Sequence, residues 1–298
     1  MSGGATVEVV ETPGHDRPGA PDGVPGLEEV MARARGENFP VASRLLGSRL
    51  REPLLAIYGF ARLVDQIGDE STGDRPALLA WLDSQVDVIY EGGMPDHPAL
   101  RRMAIVVRQA EIPPEPLHKL VEANRVDQTT SSYATFESLL GYCELSANPV
   151  GHMVLCVFGA ATPDRLELSD AVCSALQVTE HLQDIREDLS RGRVYLPQED
   201  LARFGCDASD LTASPTPERV RTLIAFEVER ARALFDRGAP LVARLSGRPR
   251  LAVTAFIAGG RAALAAIEHA GYEFGPEPPR PTMATRALSL ARTARAPR

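Results

Sequence analysis

Residues 53–70 read PLLAIYGFARLVDQIGDE, a largely apolar helical pattern that carries one regular polar stripe. Tyr58, Arg62, Asp65 and Asp69 lie at offsets of 0, 4, 7 and 11 along it. At about 100° per residue, these side chains fall within about 60° of one another on one helix face. Because a buried carboxylate without a partner is costly, the stripe indicates that this helix lines a cavity.

A second segment, ALQVTEHLQDIREDLSRGRVYLP, repeats the pattern. Gln177, His181, Asp184 and Asp188 stand at the same offsets, and Glu180 lies beside them. Two helices that each present two aspartates four residues apart concentrate negative charge, which bound cations would stabilise. Mg²⁺ matches this donor set, because it is typically held by a few carboxylates together with substrate phosphates. The sequence therefore predicts a Mg²⁺-dependent site for a diphosphate.

We predict that the metal ligands are the four aspartates of the two stripes, Asp65, Asp69, Asp184 and Asp188. The alternative for each pair is an ordinary solvated helix face, but two matched pairs favour a shared cavity. A di-iron centre in a helical bundle would need Glu-x-x-His on two helices, and the sequence contains only Glu115-x-x-His118.

A basic loop follows the second stripe. Gly192 allows the chain to turn between Arg191 and Arg193, so the two arginines can fold back toward a phosphate, as Arg62 can from the first stripe. The alternative is that the arginines only complement the helix dipole at a helix end.

The pattern is helical almost throughout, and no strand-like alternation is sustained, so the predicted fold class is all-α. We predict helices over residues 27–35, 39–47, 53–70, 76–91, 98–110, 114–131, 135–146, 149–159, 168–191, 216–246 and 250–271. We expect one helical domain over residues 26–274. Residues 1–25 are rich in Gly and Pro and predict a disordered tail, and residues 275–298 form a basic C-terminal tail. Within that tail, Met283–Ala296 predicts either a weak amphipathic helix for an anionic membrane surface or a solvated chain end.

The composition limits partners and location. The formal net charge of −8 excludes a general nucleic-acid footprint. No signal peptide is recognisable, and no apolar run approaches the roughly 18 residues of a membrane span, so we expect a cytoplasmic protein. Contact with the inner face of the membrane is a further expectation, prompted by the basic tail. No Gly-rich dinucleotide fingerprint follows a strand, so NADPH is not expected.

At the two stripes the sequence resembles the squalene/phytoene synthase family of head-to-head prenyl synthases. The likeness runs from about Glu28 to Phe274 and includes the Gly-Arg-x-Tyr-Leu-Pro ending of the second stripe. It implies the class I terpenoid synthase helical bundle with a central cavity and a prenyl diphosphate substrate. It implies catalytic residues at Tyr58, Arg62, Gln177, Glu180 and His181. It implies substrate-binding residues at Phe39, Asn148, Gly151, Arg193 and Tyr195.

Two short stretches, 37–43 and 142–151, are most similar to bacterial hydroxysqualene synthases of hopanoid biosynthesis. That resemblance implies conversion of presqualene diphosphate and water to hydroxysqualene and diphosphate. Gln66, Glu180 and Gln183 depart from residues common in the family. Fewer carboxylates at the first motif and the loss of an arginine at Gln183 favour a substrate with one diphosphate. The alternatives are a phytoene or dehydrosqualene type of condensation and a non-catalytic helical protein that retains the fold.

Overall fold

The computed structural model describes residues 19–32, 47–273 and 279–294, and these ranges are built from α-helices without a β-strand. The all-α prediction is therefore confirmed for the described part of the chain. The helices are α1 Leu27–Met31, α2 Ser48–Asp69, α3 Arg75–Tyr90, α4 Pro98–Ala110, α5 Glu115–Val126, α6 Phe136–Ser146, α7 Asn148–Val157, α8 Pro163–Gln183, α9 Ile185–Ser190, α10 Gln198–Phe204, α11 Glu218–Gly238, α12 Gly247–His269 and α13 Met283–Ala294.

The helices begin where the sequence supplies N-terminal signals. Asp74 caps α3 by accepting a hydrogen bond from the Ala77 amide, and Pro76 follows in the first turn, where a missing N–H costs nothing. Thr135 and Ser138 form a reciprocal capping box at α6. These local signals explain why most predicted helix starts agree with the structure to within a few residues.

The apolar side chains form two cores. The first, around Phe60 and Leu82, is built by α2, α3, α4 and part of α5, and it includes Met153 of α7 and Ala252 of α12. The second, around Phe235 and Ile257, is built by α6, α8, α10, α11 and most of α12. The two helices that carry the polar stripes, α2 and α8, therefore contribute their apolar side chains to different cores.

The second stripe is not on one continuous helix, which corrects the predicted helix over 168–191. α8 ends at Gln183, Asp184 has φ −100° and ψ 13°, and α9 resumes at Ile185. Hydrogen bonds from Asp184 N to Glu180 O and from Asp188 N to Asp184 O nevertheless span the break. The helical register is therefore kept across a local kink.

Other differences concern the shorter elements. The sequence did not predict α10, and the predicted helix over 216–246 ends at Gly238 and continues as a 3-10 turn, Ala239–Arg244. Pro240 in that turn cannot donate an amide hydrogen bond, which favours the change. The predicted helix over 39–47 lies almost wholly outside the described residues.

Both predicted tails contact the bundle where they are described. Ser71 Oγ donates to Gly23 O at 2.9 Å, and the His97 ring lies 3.0 Å from Pro25 O, so residues 19–25 are not separate from the fold. In the other tail, α13 packs along α12. The basic C-terminal segment therefore includes an ordered helix.

One described helix, α12, has the length and composition of a membrane span, which corrects the expectation from the sequence. Its most apolar window is 61% buried inside the bundle. A core helix of a soluble protein has the same properties, and α12 contributes to both cores.

Candidate active site

The first stripe lies along α2 as predicted, with the Arg62 guanidinium at its centre. Arg62 Nη1 is 4.0 Å from Asp65 Oδ2, and Nη2 is 3.6 Å from Glu70 Oε1. Arg62 Nε and Nη2 are buried and have no hydrogen-bond partner in the described part of the chain. Since buried guanidinium donors normally find acceptors, these two nitrogens are candidate donors to the oxygen atoms of an anionic ligand.

Asp65 lies among Arg62, Asp69, Asn124 and Asp127, and we call the region where these groups meet the cleft. Surrounding protein desolvates the carboxyl and raises its pKa to about 6, against an opposing effect of Arg62, and Asp69 adds repulsion. Its side chain nevertheless remains 49% exposed, so cleft water screens part of this effect. Asn124 Nδ2 donates to Asp65 Oδ1 at 3.4 Å. A cation in the cleft would favour the ionised carboxylate.

The second stripe presents His181 and Asp188 toward the same cleft. Gln177 Nε2 lies 3.3 Å from His181 Nε2, and His181 Nδ1 lies 3.9 Å from Asp188 Oδ2. Asp184 stands at the break between α8 and α9. Glu180 is exposed beside the stripe, so it is less enclosed than the predicted catalytic residues Gln177 and His181.

The basic loop, whose arginines the sequence predicted to fold back toward a phosphate, contacts the first stripe. Arg193 Nη2 lies 2.8 Å from Asp69 Oδ1, and Arg191 Nη1 lies 3.6 Å from Asp69 Oδ2. The loop is held by a hydrogen bond from Val194 N to Ser131 O at 2.8 Å. Two arginines that follow the second stripe therefore fold back onto an aspartate of the first.

Sequence reasoning missed Asp127, which lies at the base of the cleft just after α5. Tyr142 OH donates to Asp127 Oδ2 at 2.5 Å, and Tyr195 OH donates to Oδ1 at 3.4 Å. Burial raises the pKa of Asp127, whereas the Tyr142 hydrogen bond and Arg193 lower it. The signal that was missed is a group of polar side chains about one helical turn apart at the end of α5. The group consists of Asn124, Asp127 and Gln128.

An aromatic cluster encloses this carboxyl. The His181 ring stacks on Tyr195 with 3.7 Å between centroids, and Tyr133 and Tyr142 lie 5.3 Å apart. Tyr133 OH is buried without a hydrogen-bond partner among the described residues, and burial raises the pKa of this phenol. The sequence predicted Tyr195 and His181 here but not Tyr133.

The other predicted substrate-binding residues lie elsewhere. Phe39 is outside the described residues. Asn148 is buried between α7 and α8 and accepts a hydrogen bond from Ser174 Oγ at 3.1 Å. A Cβ on Gly151 would lie 2.4 Å from Ser169 Oγ, so this glycine permits close packing of the two helices. The described contacts give both residues a packing role, and their substrate contacts stay predictions.

The donor chemistry of the cleft matches Mg²⁺, but the described residues do not form a closed metal cage. Within residues 19–32, 47–273 and 279–294, no three His, Cys, Asp or Glu side chains are grouped so as to hold a metal ion. Mg²⁺ commonly takes only one or two carboxylates and completes its shell with water and phosphate oxygens. The partly exposed carboxylate of Asp65, close to Asp69 and Asp127, is consistent with such an open site.

Comparisons with known proteins agree with this arrangement of helices and charges. The family model described as squalene/phytoene synthase matches residues 32–287. A hydroxysqualene synthase of Rhodopseudomonas palustris is 35% identical over 215 residues, covering 71% of this chain and 72% of that protein. A phytoene synthase of Cereibacter sphaeroides is 31% identical, covering 72% of this chain and 65% of its own.

Solved structures show the same fold. The squalene synthase HpnC from Alicyclobacillus acidocaldarius superimposes with a TM-score of 0.76 at 41% identity, covering 83% of this chain and 94% of that one. A dehydrosqualene synthase, at 22% identity, superimposes with a TM-score of 0.80 over 90% of this chain and 94% of its own. The helical bundle is therefore that of the terpenoid synthases, as predicted.

The chain belongs to the squalene/phytoene synthase family. It is an enzyme of the prenyltransferase type, from a family that acts on prenyl diphosphates in isoprenoid biosynthesis.

Proposed function

We propose that this enzyme converts presqualene diphosphate and water to hydroxysqualene and diphosphate, in the squalene branch that leads to hopanoids. The observation that carries the proposal is Arg62, whose buried Nε and Nη2 lack hydrogen-bond partners beside the Asp65 carboxylate. A diphosphate would supply oxygen acceptors for these donors. The similarity to hydroxysqualene synthases supports this choice of substrate within the family.

Diphosphate departure is the step that the charged residues would promote. Asp65, Asp69, Asp184 and Asp188 would hold Mg²⁺, which when bound supplies Lewis-acid stabilisation of the leaving oxygens. Arg62 would donate hydrogen bonds to the same group, and Arg193 is held at the cleft by its 2.8 Å contact with Asp69. The carbon–oxygen bond breaks, and the electron pair leaves with the diphosphate.

Capture of the resulting carbocation requires one water molecule. The water oxygen forms the new carbon–oxygen bond. One of the two water protons stays in the alcohol, and the other is lost to a nearby base or to solvent. Gln177 and His181 are the best placed of the predicted residues to position that water, since their side chains lie 3.3 Å apart in the cleft. Glu180 is more exposed. The apolar cores on either side would limit access of further water.

A phytoene or dehydrosqualene type of condensation is the second candidate, because phytoene synthases are also similar to this chain. Gln183 argues against it. The resemblance places an arginine at this position in many relatives, whereas here the Gln183 amide contacts Pro279 O at 3.4 Å. The chain has one less cation for a second diphosphate.

The test is to incubate the purified enzyme with Mg²⁺ and either presqualene diphosphate or farnesyl diphosphate, without NADPH, and to identify products by mass spectrometry. Hydroxysqualene from presqualene diphosphate is the expected result, with no product when Mg²⁺ is chelated. A C30 or C40 condensation product from prenyl diphosphates would replace the proposed reaction with the second candidate. Absence of diphosphate release from either substrate would leave only a non-catalytic role.

A further inference from the structure

α13 has its polar and apolar faces reversed relative to an ordinary surface helix. Ser289 is 9% exposed and Thr293 is fully buried, whereas Met283, Leu288 and Leu290 are 83%, 53% and 47% exposed. Arg261 Nη1 of α12 donates to Thr293 Oγ1 at 3.3 Å. A surface helix normally buries its large apolar residues against the protein. Here the hydroxyl side chains face the protein and the apolar side chains face outward.

The outward side chains form one continuous apolar face. At about 100° per residue, they fall within an arc of about 160°. The exposed described residues of this face are Met283, Ala287, Leu288, Leu290, Ala291 and Ala294. Arg286 borders the arc on one side, and Arg292 borders it on the other.

The positive charge of the C-terminal segment favours an anionic partner for the apolar face. After Glu277 the sequence contains five arginines and no acidic residue, in a chain whose net charge is −8. Within the described ranges, Arg286 and Arg292 make no ion pair. A second copy of the chain would bring these arginines close to their equivalents across a two-fold contact, where like charges repel. Anionic lipid headgroups would complement them.

We propose that the apolar face of α13 docks the enzyme on an anionic lipid surface, with its flanking arginines at the headgroups. A helix that presents an apolar arc bordered by cations can lie in the plane of the interface. Because the remainder of the protein is acidic, the basic segment would also orient it on the membrane.

The segment that leads into α13 contacts the end of α8, beside the second stripe. Pro279, which precedes α13, accepts the hydrogen bond from Gln183, and Gln183 is adjacent to Asp184. Lipid contact through α13 would therefore bring the second stripe near the membrane. The docking itself is independent of the proposed reaction, because it requires neither substrate nor turnover.

The experiment is co-sedimentation of the full chain with vesicles of phosphatidylcholine, alone or mixed with phosphatidylglycerol. We expect at least about tenfold stronger binding to the anionic vesicles, weakening as salt is added. The double variant Leu288→Ser/Leu290→Ser should lower that binding by at least about tenfold. Leu251→Ser, at a 63% exposed leucine of α12, is the matched apolar control and should bind like the wild type.

A second pair of variants tests the arginines. Arg286→Glu/Arg292→Glu should remove the preference for anionic vesicles, and Arg102→Glu/Arg108→Glu, with the same six-residue spacing on exposed positions of α4, should retain it. Circular dichroism verifies that each variant is folded. Equal binding of wild type and α13 variants, or no binding to any vesicle, would overturn the proposal. A concentration-dependent dimer that Leu288→Ser/Leu290→Ser abolishes would overturn it in favour of a second copy.

Discussion

The two polar stripes have the same spacing in the sequence but different backbones in the structure. The first runs along the uninterrupted 22-residue helix α2, and the second crosses a break at Asp184 between α8 and α9. Asp69 of the first stripe has its cationic partners, Arg191 and Arg193, in the loop that follows the second stripe. The difference teaches that the same spacing of polar residues can lie on one continuous helix or extend across a helix break that keeps the helical register.

The largest effect should come from Asp69, where the stripes meet. Asp69→Asn removes a negative charge that faces Arg193 and a proposed metal ligand, so we expect kcat/KM for diphosphate release to fall by about 10²–10³-fold. Thermal unfolding should change little, because the weaker contact with Arg193 is offset by relief of the repulsion between Asp69 and its neighbours Asp65 and Asp127. The control is Glu91→Gln, at an exposed site after α3. Activity within threefold of wild type would exclude Asp69 from the reaction site.

The next comparison uses two glycines that allow close helix packing, Gly68 in α2 and Gly151 in α7. A Cβ on Gly68 would lie 2.0 Å from Asn124 Oδ1 and 3.1 Å from Asn124 Cβ, so Gly68→Ala must move the amide that contacts Asp65. We expect a loss of about 1–3 kcal/mol in the free energy of unfolding, partly offset by higher helix propensity. Activity per folded molecule should fall about tenfold.

Gly151→Ala is the matched variant at the contact between α7 and α8. Its Cβ would meet Ser169 Oγ and Cys173 Sγ, which are side-chain ends that can rotate. We expect a loss of about 1 kcal/mol or less with unchanged kcat/KM. Urea unfolding and diphosphate release measure the two quantities. Lost activity at unchanged stability in Gly151→Ala would instead support its predicted contact with substrate.

Each half also contains a carboxyl with a raised pKa, and the buried one should matter more for stability. Glu227 is 1% exposed beside Asp200 and Arg230, and burial raises its pKa from 4.5 to about 8. The folded protein therefore keeps a proton that the unfolded chain releases, and its stability falls as pH rises through this window. We expect wild type to lose roughly 1–3 kcal/mol more than Glu227→Gln between pH 5 and pH 8.

Parallel pH dependence of urea unfolding in wild type and Glu227→Gln would contradict that assignment. Asp200→Asn serves as the comparison variant, because it removes the neighbouring charge but leaves the Glu227 carboxyl in place.

The smallest effect is expected at Asp65, whose carboxyl faces cleft water. Its pKa is raised from 3.8 to about 6, so ionisation costs stability as pH rises between these values. Because half of the side chain is exposed, Asp65→Asn should stabilise the metal-free protein at pH 7 by only about 1 kcal/mol. The gain should disappear toward pH 4. Equal unfolding free energies at pH 7 would show that cleft water fully screens the charge.

Much of the fold follows from local sequence patterns. The regular spacing of Tyr58, Arg62, Asp65 and Asp69 among apolar residues predicts the helix that carries them. N-terminal signals such as Asp74 mark where helices begin. The break at Asp184 was missed because the apolar periodicity continues through it. α10 was missed because seven residues give too little periodicity to recognise.

The site residues that are regularly spaced along a helix were predictable from the sequence. The site residues that come together only when distant segments pack were not. Asp127 follows a different helix from both stripes, and its partners Tyr142 and Tyr195 reach it across 15 and 68 residues of sequence. The buried, unpartnered hydroxyl of Tyr133 likewise depends on packing between distant segments. Single polar residues carry no periodicity, so only the folded arrangement identifies them.

The contribution of α12 to both cores has a consequence for synthesis on the ribosome. Ala252 and the partly buried Phe256 complete the core that α2, α3 and α4 otherwise form. These helices leave the ribosomal exit tunnel long before α12 is made. The nascent N-terminal half must therefore expose apolar surface until translation is nearly finished, which makes it a natural client for chaperones that recognise unburied apolar segments.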